Sequence, residues 1–131
     1  MGRLEKVLEE CDQAIRLGPR DPLLWHSYNW KAAAYFALHQ DDQAIEWWQR
    51  GLAAAPNFSY MQASLAAVLA LNDRDAEARV MLTRYLSNSD TKLRSVARWR
   101  VYMKASSDNS VWLAFGDRTI EGLRKAGLPE E

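Results

Sequence analysis

The sequence predicts an all-α protein of about seven helices, and three observations carry that prediction. Apolar residues recur at spacings of three and four, which is the period of one face of a helix. Ala, Leu, Arg and Glu, which favour helices, dominate the composition, and no run of β-branched residues alternates with polar ones. Glycine (6) and proline (4) are scarce. The 131 residues are 48% hydrophobic, which is enough for the core of a single domain spanning residues 1–131.

The first three helices follow from apolar stripes and the residues that interrupt them. The first stripe is Leu4, Val7, Leu8, Cys11, Ala14 and Ile15. Gly18 ends that helix. Asp21 caps a second helix over about 22–39, which has a proline at its first position. A third helix covers 41–54 and ends before Pro56.

Four more helices complete the prediction. Asn57 caps a helix that reaches about residue 71, a fifth helix covers 75–86, and a sixth covers 91–104. The polar residues 106–109 begin a seventh, which ends at Gly127. The seventh helix is expected to cover one end of the fold with Trp112, Phe115, Ile120 and Leu123.

Residues of matching type recur about 34 positions apart. The first set is Ala32, Tyr35, Ala44, Trp48 and Leu52, and its counterparts are Ala66, Leu69, Ala78, Leu82 and Leu86. Small residues fit where two helices cross closely, and larger ones fill the space between helices. A period of about 34 residues with paired helices is that of the tetratricopeptide repeat.

The residue types also resemble the tetratricopeptide repeat (TPR) family. Its aromatic, small and proline positions correspond here to Tyr28, Ala32, Tyr35, Ala44, Trp48 and Pro56. The resemblance implies a TPR-type α-solenoid of antiparallel helix pairs. The solenoid would begin with a half repeat over residues 4–19 and continue with full repeats over 22–56 and 57–90. A degenerate repeat and a capping helix would follow over 91–131. Lys31 departs from the usual leucine, and His39 and Asp73 occupy turn positions that usually hold glycine.

A second resemblance concerns residues 16–22, 55–58 and 121–130. These segments resemble the C-terminal repeat region of large bacterial signalling proteins. In those proteins the repeats follow a class III adenylate/guanylate cyclase domain or a winged-helix DNA-binding domain. The sequence contains neither domain, so the resemblance implies a regulatory or scaffolding tail and no cyclase activity.

The TPR resemblance implies that the first helix of each pair lines a concave groove for a peptide or a partner helix. The groove positions are His26, Asn29, Ala33, Phe36, Ala37, Tyr60, Ala63, Ala67, Ala70 and Leu71. They are mostly small and apolar, and they lack the Lys/Arg/Asn set with which chaperone-binding members clamp a terminal carboxylate. We therefore expect a protein–protein interaction module, a scaffold or regulatory domain, that binds an apolar or helical segment.

An alternative function is homo-oligomerisation, as the structural tail of a larger signalling protein. The first helix has no preceding pairing helix in the sequence, so we expect its apolar stripe to be exposed and to form a two-fold dimer. The residues expected to self-associate are Leu4, Val7, Leu8, Cys11 and Trp30.

A third class of function is nucleic-acid binding through the basic segment 92–104. It contains five basic residues and no acidic one: Lys92, Arg94, Arg98, Arg100 and Lys104. Only Trp99 and Tyr102 supply interleaved aromatic rings, which favours a solvated surface over a nucleic-acid site. Over the whole chain 17 basic residues balance 17 acidic ones, so the net charge indicates no class of partner.

The sequence shows no enzyme active site and implies no cofactor, metal or small-molecule substrate. His26, His39 and Cys11 lie on separate elements, so they do not form a metal site. Asp41 and Asp42 are neighbours in a helix and point in different directions, so they are not an acid–base pair. The single cysteine and the lack of a secretory signal or membrane-length apolar run predict a cytoplasmic protein without a membrane partner.

Overall fold

The computed structural model describes residues 2–131, and over these residues it contains seven α-helices and no β-strand. The prediction of an all-α fold is therefore confirmed. The helices are α1 (Arg3–Leu17), α2 (Trp25–Ala37), α3 (Asp41–Ala54), α4 (Ser59–Leu71), α5 (Asp75–Ser87), α6 (Val96–Ser106) and α7 (Ser110–Ala126). The chain forms two compact units, the first ending at Met61 and the second beginning at Gln62.

Several helix ends lie where the sequence predicts them. α3 covers Asp41–Ala54, as predicted. Asn109 caps α7, because its Oδ1 accepts hydrogen bonds from the backbone N–H groups of Val111 and Trp112 at 2.9 and 3.2 Å. Gly127 ends α7 at a φ of 113°, a left-handed conformation that glycine adopts without strain because it has no Cβ.

α2 begins later than predicted, at Trp25 rather than at Pro22. The Oδ1 atom of Asp21 accepts a hydrogen bond from the backbone N–H of Leu23 at 2.9 Å. The backbone N–H of Leu24 donates to the carbonyl of the same aspartate at 3.0 Å. Asp21 therefore organises a tight turn ahead of the helix, and that turn uses the residues expected to form the first helical turn.

α6 begins at Val96, five residues after its predicted start at residue 91. The segment before it is held in an irregular conformation. The hydroxyl of Tyr85 donates to the Leu93 carbonyl, and the side chain of Ser95 accepts from the backbone N–H of Arg98 at 3.2 Å. The prediction that Lys92 and Arg94 belong to this helix is wrong, because both precede the cap.

The turns between α2 and α3 and between α4 and α5 have the same backbone conformation. His39 and Asp73 have φ angles of 59° and 60°, in the left-handed region that non-glycine residues rarely adopt. In each turn the next residue donates its N–H at 2.9 Å to a carbonyl near the end of the preceding helix. These N–H to C=O pairs are Gln40–Tyr35 and Arg74–Leu69. The backbone of the two turns thus repeats at an interval of about 34 residues, as the sequence pattern does.

The first unit is held together by α2, which packs against both α1 and α3. Ala32 and Ala44 are 0% exposed, as expected of small residues at a close helix crossing. Trp48 is 1% exposed, and its Nε1 donates to Oδ1 of Asn29 at 2.9 Å. The ring of Phe36 meets the Trp48 ring edge to face at 5.7 Å. Ala32, Ala44 and Trp48 therefore take the roles that the sequence pattern predicts, whereas Phe36, predicted to line the groove, lies in the core.

In the second unit α7 packs against α5 and α6. A Cβ atom at Gly122 would lie 2.4 Å from the carbonyl oxygen of Ala67, so α7 also crosses α4 at backbone contact. Ile120 and Leu123 are buried, whereas Trp112 and Phe115 stack on each other and are half-buried. α7 is thus part of the core of this unit.

Candidate functional site

Four aromatic rings lie in a row on the surface of the first unit. His26 stacks on Trp25 with ring centroids 3.7 Å apart, Trp25 meets Phe58 at 4.8 Å, and Phe58 meets Tyr60 at 5.8 Å. His26 is exposed, Tyr60 is 38% exposed, and the other two rings are half-buried. We call these four residues the aromatic surface.

The aromatic surface forms where two helices begin. Trp25 is the first residue of α2, while Phe58 directly precedes α4 and its carbonyl accepts from the backbone N–H of Met61 at 3.2 Å. An aromatic residue just before a helix commonly packs back on nearby apolar groups, as Phe58 does on Trp25. The partly buried rings thereby support the two exposed ones, His26 and Tyr60.

The groove positions predicted on α2 have unequal access to solvent. His26 is exposed, and Asn29, Ala33 and Ala37 are half-buried. The amide oxygen of Asn29 accepts the Trp48 indole hydrogen bond described above. Phe36 is 1% exposed, so its ring belongs to the core of the first unit. On this helix His26 is the predicted groove residue best placed to contact a partner.

The groove positions predicted on α4 are mostly inaccessible. Ala63 and Ala67 are 0% exposed and Ala70 is 1% exposed. The backbone of Ala67 is in contact with α7 at Gly122, so the second unit itself covers this position. Leu71 is half-buried at the end of the helix. Tyr60 is therefore the one predicted α4 position with an exposed ring.

An ion pair that the sequence did not predict links α1 and α2. Lys31 is 7% exposed, and its Nζ lies 2.5 Å from Oδ1 of Asp12. The same Nζ lies 3.8 Å from the ring centroid of Trp47, whose ring also has the Arg50 guanidinium at 4.5 Å. The buried ammonium is thus held by a carboxylate and an indole face, an attractive arrangement for a cation. The departure from leucine at Lys31 was visible in the sequence, but its partners were not.

Beside this ion pair lies an open cleft of about 700 Å³, which we call the α1 cleft. Leu8 and Ile15 of α1, with Tyr35 and Trp47, supply its apolar lining. Glu5 and Glu9 supply exposed carboxylates along the α1 side. The cleft lies wholly within the first unit.

The residues predicted to self-associate fall into three classes of exposure. Cys11 is 8% exposed and Trp30 is 58% exposed. Leu4, Val7 and Leu8 are half-buried. Burial raises the pKa of the Cys11 thiol above its ordinary value, and the charge of the adjacent Asp12 acts in the same direction. Cys11 thus packs inside the unit, while Trp30 is available to a partner.

The basic segment divides into residues with different roles. The guanidinium of Arg94 donates to the carbonyls of Leu86 and Asn88 at 2.6 and 2.9 Å, so it caps the end of α5. Arg98, Arg100 and Lys104 lie on α6 and are exposed. The five charges predicted to form one basic helix are therefore not on one helix.

Two features are absent from residues 2–131. No three His, Cys, Asp or Glu side chains come together there in a way that could hold a metal ion. No helix in that part of the chain has the length and apolar character needed to cross a membrane.

No protein-family model matches the chain, and no curated protein is significantly similar to it in sequence.

Proposed function

We propose that the chain is a protein–protein interaction module whose aromatic surface binds an apolar or helical segment of a partner. The row of contacts from His26 through Trp25 and Phe58 to Tyr60 carries this proposal. Aromatic rings are enriched at the centres of protein interfaces, where they supply large contact areas. Here two rings are exposed and two others hold them in place, so little side-chain freedom remains to be lost on binding.

The chemistry of the surface favours an apolar partner over an acidic one. Its four residues include no lysine or arginine, so it offers no fixed positive charge to a carboxylate or phosphate. Leu23, which is 62% exposed and close in sequence to Trp25, adds further apolar area. An amphipathic helix laid across such rings would bury its apolar face against them.

We further propose that residues 22–90 are related to the TPR family and that the protein is cytoplasmic. The first proposal is supported by the left-handed turns at His39 and Asp73 and by the recurrence of buried alanines at Ala32 and Ala66. The second is supported by the single cysteine, Cys11, which is free. We propose a binding role without catalysis, since the aromatic surface presents no general acid–base pair.

Binding measurements on surface variants test the proposed function. A displayed library of helix-forming segments with apolar faces would be selected on the full chain, and the affinity of the best segment measured by fluorescence anisotropy. We expect the double variant His26→Ser with Tyr60→Ser to bind about tenfold more weakly or worse, since the exposed rings are lost. Circular dichroism would check that its helicity is unchanged.

The matched control is Trp30→Ser, which removes a ring that is 58% exposed on the same helix but outside the aromatic surface. Its affinity should equal that of the wild type. Failure of every library segment to bind, or wild-type affinity in the double variant, would contradict the proposal.

A further inference from the structure

A second surface, distinct from the aromatic surface, is the α1 cleft. Its lining combines apolar side chains such as Leu8 and Trp47 with the carboxylates of Glu5 and Glu9. The third carboxylate, that of Asp12, is already paired with Lys31. The unpaired acidic charge therefore lies in the N-terminal half of α1, whereas Arg16 places a positive charge near its C-terminal end. A segment that enters the cleft should carry apolar residues on one face and cations beside Glu5 and Glu9.

The exposed face of α6 has this chemistry. Ala97, Val101 and Ala105 are exposed at successive intervals of four residues, so they form one stripe along the helix. Val101 is 70% exposed, so its side chain is available to a partner. Arg98 and Lys104 flank the stripe, and no acidic residue occurs in α6. We call these five residues the α6 stripe.

We propose that the α6 stripe of one copy docks in the α1 cleft of a second copy. Alanine and valine project only a short distance, so the α6 backbone can approach the apolar lining closely. Arg98 and Lys104 then lie beside Glu5 and Glu9, where opposite charges attract and fix the direction of the incoming helix. The buried face of α6, formed by Val96, Trp99 and Met103, keeps its packing within its own unit.

This contact is head to tail, because two different surfaces meet. The resulting pair keeps one free α6 stripe, on one copy, and one free α1 cleft, on the other, so association can continue to larger assemblies or close into a ring. A two-fold dimer through α1, as expected from the sequence alone, would instead use the same surface on both copies. The two arrangements respond differently when variants are mixed.

The test uses the full-length chain in sedimentation velocity over a range of protein concentrations. The wild type should exceed the 15.0 kDa mass of one chain as concentration rises. Raising the salt from about 0.1 to 1 M shortens the Debye length from about 10 to 3 Å and should weaken this association at least tenfold. Glu9→Lys should block the cleft, and Arg98→Glu should block the stripe, so each variant alone should remain monomeric.

Mixing the two variants is the decisive step. The Arg98→Glu chain retains an intact cleft and the Glu9→Lys chain retains an intact stripe, so an equimolar mixture should form species of at least twice the chain mass. Glu10→Lys, the same charge change on α1 outside the cleft lining, and Arg79→Glu on α5 should both behave as the wild type.

Three results would overturn the proposal. They are a wild type that stays monomeric at every concentration, a mixture that stays monomeric, and disruption by Glu10→Lys equal to that by Glu9→Lys. Circular dichroism on each variant excludes unfolding as the cause of a lost assembly.

Discussion

Replacing Gly122 by alanine tests the closest helix crossing in the second unit. A Cβ atom there would lie 2.4 Å from the carbonyl oxygen of Ala67 and 2.8 Å from its carbonyl carbon and Cα. These are backbone atoms of α4, so the clash is relieved only if the two helices move apart. Overpacking of this kind costs about 1–3 kcal/mol, occasionally more, and the higher helix propensity of alanine returns about 1 kcal/mol. Because backbone cannot rotate away, we expect a net loss of about 2 kcal/mol.

Gly116→Ala is the matched control on the same helix. A Cβ atom there would meet the side chain of Met103, with its terminal Cε at 2.2 Å. A methionine side chain has three rotatable bonds and can move aside, so the gain in helix propensity should largely offset the clash. We expect a change in the free energy of unfolding within about 1 kcal/mol of zero.

Urea and thermal unfolding followed by circular dichroism measure the free energy of unfolding and the melting temperature of both variants. A loss of about 2 kcal/mol in a chain of this size should lower the melting temperature by roughly 8 °C. Wild-type stability in Gly122→Ala, or a larger loss in Gly116→Ala than in Gly122→Ala, would refute the predicted clash between α7 and the backbone of α4.

Three other predictions rest on single contacts. Because burial raises the pKa of Cys11, alkylation at pH 8 should be at least about tenfold slower in the folded chain than in urea. The stability that comes from burying the neutral thiol should be lost as the pH rises through that raised pKa. Equal alkylation rates in the folded and unfolded chain would contradict the burial of this thiol. Trp99→Phe removes the hydrogen bond that Nε1 donates to the Tyr85 hydroxyl at 3.2 Å, whereas the Trp112 indole nitrogen is buried without a partner within residues 2–131. In urea unfolding, Trp99→Phe should therefore destabilise the chain by about 1 kcal/mol more than Trp112→Phe. The reverse order would refute the hydrogen-bond assignment. His39 has a φ of 59°, so His39→Val should cost about 1–2 kcal/mol more than His39→Asn in thermal unfolding, and equal melting temperatures would count against a left-handed turn.

Helix ends that depend on neighbouring residues could be predicted from the sequence. Asn109 caps α7 through bonds to residues two and three positions away, and Gly127 ends it through its own backbone freedom. Both are local signals. The start of α6 has a local cap, Ser95, but it also depends on distant residues, because the N–H groups of Val96 and Ala97 donate to the carbonyls of Pro129 and Glu130. No pattern within residues 91–104 encodes that contact.

The candidate site shows the same difference between features that the sequence predicts and contacts that join distant residues. His26 and Tyr60 were predicted to face a partner, and both rings are exposed. Ala67 was predicted to line the same groove, yet α7 contacts its backbone at Gly122. A glycine within a helix does not indicate which helix it will contact, so the sequence could not predict that α7 covers Ala67. The contact of Trp25 with Phe58 joins residues far apart in sequence and likewise required the structure.

The indole N–H resonances of the six tryptophans offer the most direct test of binding at the aromatic surface. The measurement is a ¹H–¹⁵N correlation spectrum of dilute full-length chain, titrated with the selected segment. We predict that the indole resonance of Trp25 shifts, while that of Trp48, hydrogen-bonded to Asn29 in the core, stays in place. Shifts at Trp30, Trp47 or Trp112 with an unmoved Trp25 resonance would contradict the account.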